Sequence, residues 1–183
     1  MSAALNCNIG FIGGGNMAQA LIGGLISRGL PPTRITVSDP VEKVRSLLAE
    51  KEVNVTDDNR AAIKNADIVV FAVKPQVLAE VLKPLQGLLD GKLVISIVAG
   101  AEIATLSALL RTDRLVRVMP NTPALVQTGA HGLFAKDEVK AEDRELASQV
   151  LASTGLTIWV DSEAQMDAVT AVSGSWPAYF FYM

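Results

Sequence analysis

Cysteine and histidine are almost missing from this chain: Cys7 and His131 are the only examples of each. One thiol forms no internal disulfide and no cysteine-rich metal site. His131 is read as a structural or surface residue, not a catalytic acid. Basic tracts are also lacking. Sixteen Lys and Arg stand against nineteen Asp and Glu, a net charge of −3, which argues against nucleic acid as a partner. No apolar run reaches the roughly 18 residues a membrane helix needs. Met1 to Asn8 lacks a charged segment followed by an apolar one, so no secretory leader is read and a cytoplasmic location is expected. There is no low-complexity segment and no repeat of fixed period.

What remains is the composition of a folded domain. Half of the residues are hydrophobic and 19% are charged, and 183 residues are enough to bury one core. Strands are expected at Asn8–Gly13, Arg34–Asp39, Asp67–Val73, Lys92–Val98 and Leu115–Met119, with a short one at Val53–Val55. Most are continuous apolar runs, such as Ile68 to Val73, which suit strands buried on both faces of a parallel sheet. Helices are expected between them, at Asn16–Arg28, Val41–Glu50, Asn59–Asn65, Gln76–Leu89 and Ala101–Leu110. This alternation predicts an α/β fold with a doubly wound sheet. After Pro120 the spacing predicts a strand at Gly129–Phe134, a helix at Ala141–Ser153, an edge strand at Leu156–Val160 and a helix beginning over Glu163–Val172. The chain stops on Tyr179-Phe180-Phe181-Tyr182-Met183, an apolar run that is expected to belong to a second domain.

The first strand runs into Gly13-Gly14-Gly15-Asn16-Met17-Ala18, a G-x-G-x-x-A pattern. Gly13 permits the tight turn, Gly15 lets the backbone approach a pyrophosphate, and Ala18 lets the helix pack close to the strand. The helix then directs free N–H groups at the phosphates, with Ile12, Gly14, Asn16 and Met17 completing the turn. Asp39 follows Ala18 by 21 positions, at the end of the second strand, where an acid would bind the adenosine ribose 2′-OH. Asp39 with Pro40 is equally suited to capping the next helix, and both roles can coexist. An acid there favours NAD, whereas Ser38 could donate to a 2′-phosphate, so the cofactor stays open on these residues.

Ligands collect beyond the carboxyl ends of strands in such sheets. Ala72-Val73-Lys74-Pro75 follows the fourth strand and sets Lys74 at the rim, facing either phosphate, ribose or solvent. Ala99-Gly100 is a close-approach position after the fifth strand. Met119-Pro120-Asn121-Thr122-Pro123 is stiffened by two prolines and presents an amide and a hydroxyl, either to a nicotinamide or substrate or as an ordinary turn.

Five segments occur in order: Gly10 to Ala18, Ala72 to Gln76, Ser96 to Gly100, Met119 to Ala124 and Val172 to Phe181. Together they resemble the pyrroline-5-carboxylate reductases, the last enzymes of proline synthesis. The resemblance implies a Rossmann domain over residues 1–160 and, from 161–183, the first helix of an all-helical dimerisation domain that is cut short. It implies NADPH as hydride donor with NADH also used, a small-molecule substrate, and a homodimer or higher homo-oligomer. By motif position Ile12 to Met17 would carry the pyrophosphate, and Ser38 and Asn59 would lie near the adenosine 2′ position. Ala72 to Pro75, Ala99 and Gly100 would line the groove, with Asn121 at its nicotinamide end. Ser175 would approach the substrate, and Ser173 and Gly174 would open the helix with it. Trp176 stands where the family usually has Gly or Ser. The family's substrate pocket and dimer interface lie mostly beyond Met183, so no catalytic residue is assigned. The implied reaction is hydride transfer to the C=N bond of 1-pyrroline-5-carboxylate, giving L-proline. Two alternatives are a dinucleotide-binding fragment without activity and a dehydrogenase of the β-hydroxyacid type.

Overall fold

The computed structural model describes residues 5–171. Eight strands form one sheet: β1 (Ile9–Ile12), β2 (Ile35–Ser38), β3 (Asn54–Thr56), β4 (Ile68–Phe71), β5 (Leu93–Ser96), β6 (Leu115–Met119), β7 (Gly129–Phe134) and β8 (Gly155–Trp159). Their order is β3-β2-β1-β4-β5-β6-β7-β8. The first six run parallel, β7 is antiparallel to β6, and β8 is parallel to β7. The chain reverses its direction of growth between β1 and β4, which opens a crevice above the carboxyl ends of those strands.

The continuous apolar runs explain the burial. All four residues of β1, β4 and β5 are buried. Such strands need a cover on each face. One face carries α1 (Asn16–Ser27), α2 (Glu42–Ala49) and α6 (Ala141–Ala152), packed through Leu21, Leu25, Leu48 and Val150. The other carries α3 (Asn59–Lys64), α4 (Leu78–Leu82) and α5 (Ile103–Leu110), packed through Ile63, Leu82 and Leu106. Gly10 brings α3 close, since a Cβ there would lie 2.5 Å from the Ala62 carbonyl oxygen.

Three expectations need correction. The helix predicted over Gln76–Leu89 is a 3-10 turn at Pro75–Val77, one short α-helix (α4), and a second 3-10 turn at Lys83–Leu85. Pro84 has no N–H to continue an α-helix and its ring opposes the carbonyl four residues earlier. The next helix begins at Ile103, two residues later than expected. The helix foreseen from Glu163 begins as α7 (Gln165–Val169), after turns at Glu163 and Ala164. It lies against β7, where a Cβ on Gly132 would meet Val169 at 2.9 Å. β8 is the edge strand foreseen, with Leu156 74% and Ile158 59% exposed. No helix among the described residues is long and apolar enough to cross a membrane.

Candidate functional site: a dinucleotide groove

The glycine turn stands at the mouth of the crevice. Gly13 has φ +98°, and its N–H donates to the Ser38 carbonyl at 2.8 Å. A Cβ there would lie 2.7 Å from the Ala72 carbonyl oxygen, so this position ties β1 to β2 and leaves no room against the loop after β4. Gly14 is more constrained than a variable motif position suggests. A Cβ there would meet Leu48 at 2.7 Å and Val44 at 2.8 Å, both from α2. Gly15 differs: among the described residues nothing lies within 4 Å of an added Cβ, so its side is open to them.

Among the described residues no side chain caps α1. A helix leaves its first N–H groups without intrahelical partners. Here Gly15 and Asn16 are exposed, and the helix presents these N–H groups above the glycine turn. An uncapped 12-residue helix opening beside empty space fits a phosphate group. Met17 is half-buried on the first turn and Ala18 fully buried beneath it.

Ser38, Asp39 and Asn59 come together beyond the end of β2. The Ser38 hydroxyl is buried and donates to Asn59 Oδ1 at 2.7 Å. This leaves the Asn59 amide nitrogen as the outward donor of the pair. Asn59 is fixed at the first turn of α3 because the Asp58 carboxylate accepts the Arg60 N–H at 2.8 Å. Asp39 turns its carboxylate onto the main chain: Oδ2 accepts from Gly14 N–H at 2.8 Å and Oδ1 from Val41 N–H at 2.9 Å. It therefore shapes both the glycine turn and the bend into α2, while a second lone pair on each oxygen stays available. The expected cap of a helix starting at Val41 becomes this bend, because α2 starts at Glu42 with no side-chain cap.

Arg45 was not singled out from the sequence. Its Nη1 donates to the Asp39 carbonyl at 2.7 Å, holding a half-buried guanidinium beside Ser38 and Asp39. An Arg near the ribose acid is the arrangement that accommodates a 2′-phosphate. Its place one turn into the helix after β2 was the available signal.

The remaining groove residues follow β4, β5 and β6. Ala72 N–H donates to the Ile12 carbonyl at 2.8 Å, so Ala72 and Val73 sit beside the glycine turn. Lys74 and Pro75 are exposed, and Lys74 makes no ion pair among the described residues. Ala99 and Gly100 are exposed after β5, with Gly100 at φ +72°. Asn121 opens a 3-10 turn at Thr122–Val126, and its Oδ1 accepts the Ala130 N–H at 2.9 Å. Its amide thus pins the loop to β7 and keeps the nitrogen as the free donor end. Ser173, Gly174, Ser175 and Trp176 lie outside the described residues.

His131, expected to be a structural or surface residue, lies fully buried on β7. Its Nε2 is 3.0 Å from Thr154 Oγ1, which also donates to the Leu151 carbonyl at 3.2 Å. The consistent chain is Nε2–H to hydroxyl to carbonyl, which leaves Nδ1 as an unprotonated, unpartnered acceptor. Burial pushes its pKa down to about 4.

Fold and groove define a Rossmann-type dinucleotide-binding domain, a scaffold of hydride-transfer enzymes. A family model described as NADP oxidoreductase, coenzyme F420-dependent, matches residues 8–100. A solved pyrroline-5-carboxylate reductase from Coxiella burnetii superposes with TM-score 0.92 at 42% identity, covering 97% of this chain and 67% of that one. The chain belongs to the pyrroline-5-carboxylate reductase family. The curated reductase of Haemophilus influenzae is 49% identical over 177 residues, spanning 96% of this chain and 65% of that protein. The Plasmodium falciparum enzyme, solved with NADP bound, has TM-score 0.85 and 31% identity, covering 97% of this chain and 66% of that one. This chain therefore spans about 65% of the length of the curated relatives it matches.

Proposed function

We propose that this chain holds NADPH, with NADH as a second donor, for reduction of 1-pyrroline-5-carboxylate to L-proline. The observation that carries this reading is the uncapped start of α1 beside the open face of Gly15. Main-chain N–H groups of Gly15, Asn16 and Met17 would receive the pyrophosphate, above Ile12 to Gly14. The Asn59 amide, Ser38 through it, and Arg45 would receive the adenosine 2′-phosphate, with Asp39 shaping the turn between them. Ala72, Val73, Lys74 and Pro75 would form one wall, Ala99 and Gly100 the floor, and Asn121 the nicotinamide end.

When bound, the reduced nicotinamide supplies a hydride, and a protonated ring imine accepts it at carbon. That iminium already carries its proton, so the task left to the chain is orientation and exclusion of water. The NADP-bound P. falciparum relative supports the cofactor, and family membership supports the substrate over a β-hydroxy acid. On this reading residues 1–160 hold the cofactor. Residues 161–183 begin the helical dimerisation domain, with Ser175 near the substrate. The assembly is a homodimer or higher homo-oligomer in the cytoplasm.

The test is oxidation of NADPH by the purified 183-residue chain, with and without pyrroline-5-carboxylate, beside a direct binding titration. Binding with turnover supports the whole reading. Binding without turnover keeps the cofactor role and refutes the reductase activity for these 183 residues. A folded chain that binds no NADPH refutes both.

A further inference from the structure

Arg117 is the unusual residue of β6. It lies in a strand otherwise apolar up to Met119, its side chain is only 7% exposed, and it pairs in register with Ser96, the last residue of β5. A buried guanidinium requires a partner. The partner comes from the far end of the fold. Glu163, just before α7, places Oε1 2.9 Å from Arg117 Nη1. The same oxygen accepts the Ile103 N–H at 2.8 Å. Ile103 is the first residue of α5, which has no cap from its own neighbouring Glu102. Asp167 of α7 stands further off, 3.9 Å from Nη2, and is 84% exposed.

One carboxylate thus joins three elements at the carboxyl edge of the sheet. It closes the start of α5, and so sets the end of the Ala99-Gly100 loop that follows β5. It neutralises Arg117 two residues before Met119, where the Asn121 loop begins. It also anchors the segment leading into α7. α7 then runs along β7 beside Gly132, whose register partner is Met119.

We infer that Glu163 is a positioning residue for the nicotinamide half of the groove. It acts through Arg117 and the Ile103 N–H and touches no cofactor itself. The inference rests on the NADPH reading above. It makes the floor at Ala99-Gly100 and the loop at Asn121 depend on residues that follow the whole sheet. The adenosine half is independent of it: among the described residues Ser38, Asp39, Arg45 and Asn59 are hydrogen-bonded to one another and to the main chain of Gly13, Gly14, Val41 and Thr56, none of which touches Glu163.

The experiment compares two probes on the full 183-residue chain: NADPH, and adenosine 2′,5′-bisphosphate, which lacks the nicotinamide end. Glu163→Ala removes the acceptor and the charge. Its dissociation constant for NADPH is expected to rise about tenfold, the scale of one hydrogen bond to a charged group. Binding of the bisphosphate is expected to stay within about twofold, since its contacts lie elsewhere. Glu163→Gln keeps an oxygen for the Ile103 N–H and is expected to recover part of the NADPH affinity. Asp167→Asn is expected to match the unaltered chain with both probes. Equal weakening of the two probes by Glu163→Ala, or no change in either, overturns the inference.

Amide hydrogen exchange without ligand supplies the independent readout. Exchange in Glu163→Ala is expected to quicken at 99–103 and 119–122 and to stay unchanged at 13–18 and 38–41. Unchanged exchange at 99–103 overturns the positioning role even where NADPH binding is lost. Failure of the unaltered chain to bind NADPH, with exchange quickened as described, refutes the cofactor reading while leaving the three-way tie established.

Discussion

The two halves of the groove are built by different means. The adenosine half joins residues of the first three strand ends: Gly14 to Asp39 across 25 positions and Ser38 to Asn59 across 21. The nicotinamide half reaches further along the chain, with Arg117 joined to Glu163 across 46 positions and Ile103 to Glu163 across 60. The first half is set by main-chain geometry at glycines and by short polar side chains. The second depends on a buried charge whose partner arrives only after the sheet is complete. On the proposed reading, the phosphates would rest on a local motif, while the reacting end would be shaped by distant segments.

The opposite edge of β6 sharpens the contrast. Arg114, just before that strand, donates through Nε and Nη2 to the buried Asp143 at 2.7 Å and 2.6 Å, and through Nη1 to the Gly91 carbonyl. The Asp143 carboxylate holds its guanidinium in the charged form, raising an already high pKa. That pair fastens α6 to the amino end of the sheet, away from the groove. Two arginines three residues apart thus serve opposite edges, one tied to a helix of the core and one to loops of the site.

The largest effect is expected at Gly13. Gly13→Val forces a branched side chain to φ +98° and against the Ala72 carbonyl. A loss of about 3 kcal/mol in urea unfolding is expected, with NADPH affinity reduced about a hundredfold or more. A milder result would break the claim that the first half rests on main-chain geometry.

Acid is expected to act next, through His131. Its folded pKa of about 4 lies below the ordinary 6.5. Between these values the unfolded chain takes up a proton that the folded chain refuses. Stability is therefore full above pH 6.5 and lost as pH falls through about 4, by on the order of 3 kcal/mol. His131→Leu should remove this part of the slope in unfolding curves measured from pH 7 to 4. An unchanged slope would place the acid sensitivity elsewhere.

Asp39→Ala leaves the Gly14 N–H without its acceptor and is expected to cost about 1–3 kcal/mol. It should weaken NADPH and adenosine 2′,5′-bisphosphate alike, the reverse of the pattern expected for Glu163→Ala. Arg45→Met should reduce NADPH binding more than NADH binding, and equal losses would remove Arg45 from the 2′-phosphate site. The smallest change is expected for the exposed Lys74. Lys74→Ala should raise the NADPH dissociation constant by about threefold at low salt and less at high salt.

The sheet was legible because the short apolar runs at β1, β4 and β5, alternating with helical spacing, suit strands buried on both faces. The glycine turn was legible because its geometry depends on adjacent residues. The reversal at β7 was not, since a short strand carries no mark of its partner's direction. The break at Pro84 follows from its missing N–H, which the helical spacing of Gln76–Leu89 masks. Asp39 was singled out for the ribose or as a helix cap, whereas its two main-chain partners depend on how the turn and α2 converge. Arg117 was not singled out from the sequence, where it is one charged residue in an otherwise apolar strand. Nothing within several residues of it points to Glu163, because the pair exists only once α7 lies over β7.

The central claim is that the uncapped start of α1 and the glycine turn hold a dinucleotide. It is tested most directly by calorimetric titration of the 183-residue chain with NADPH, beside Gly13→Val checked for folding by circular dichroism. Saturable binding with one site per chain, lost in the folded variant, is the expected result. A folded, unaltered chain that gives no saturable heat with NADPH or NADH would contradict the account.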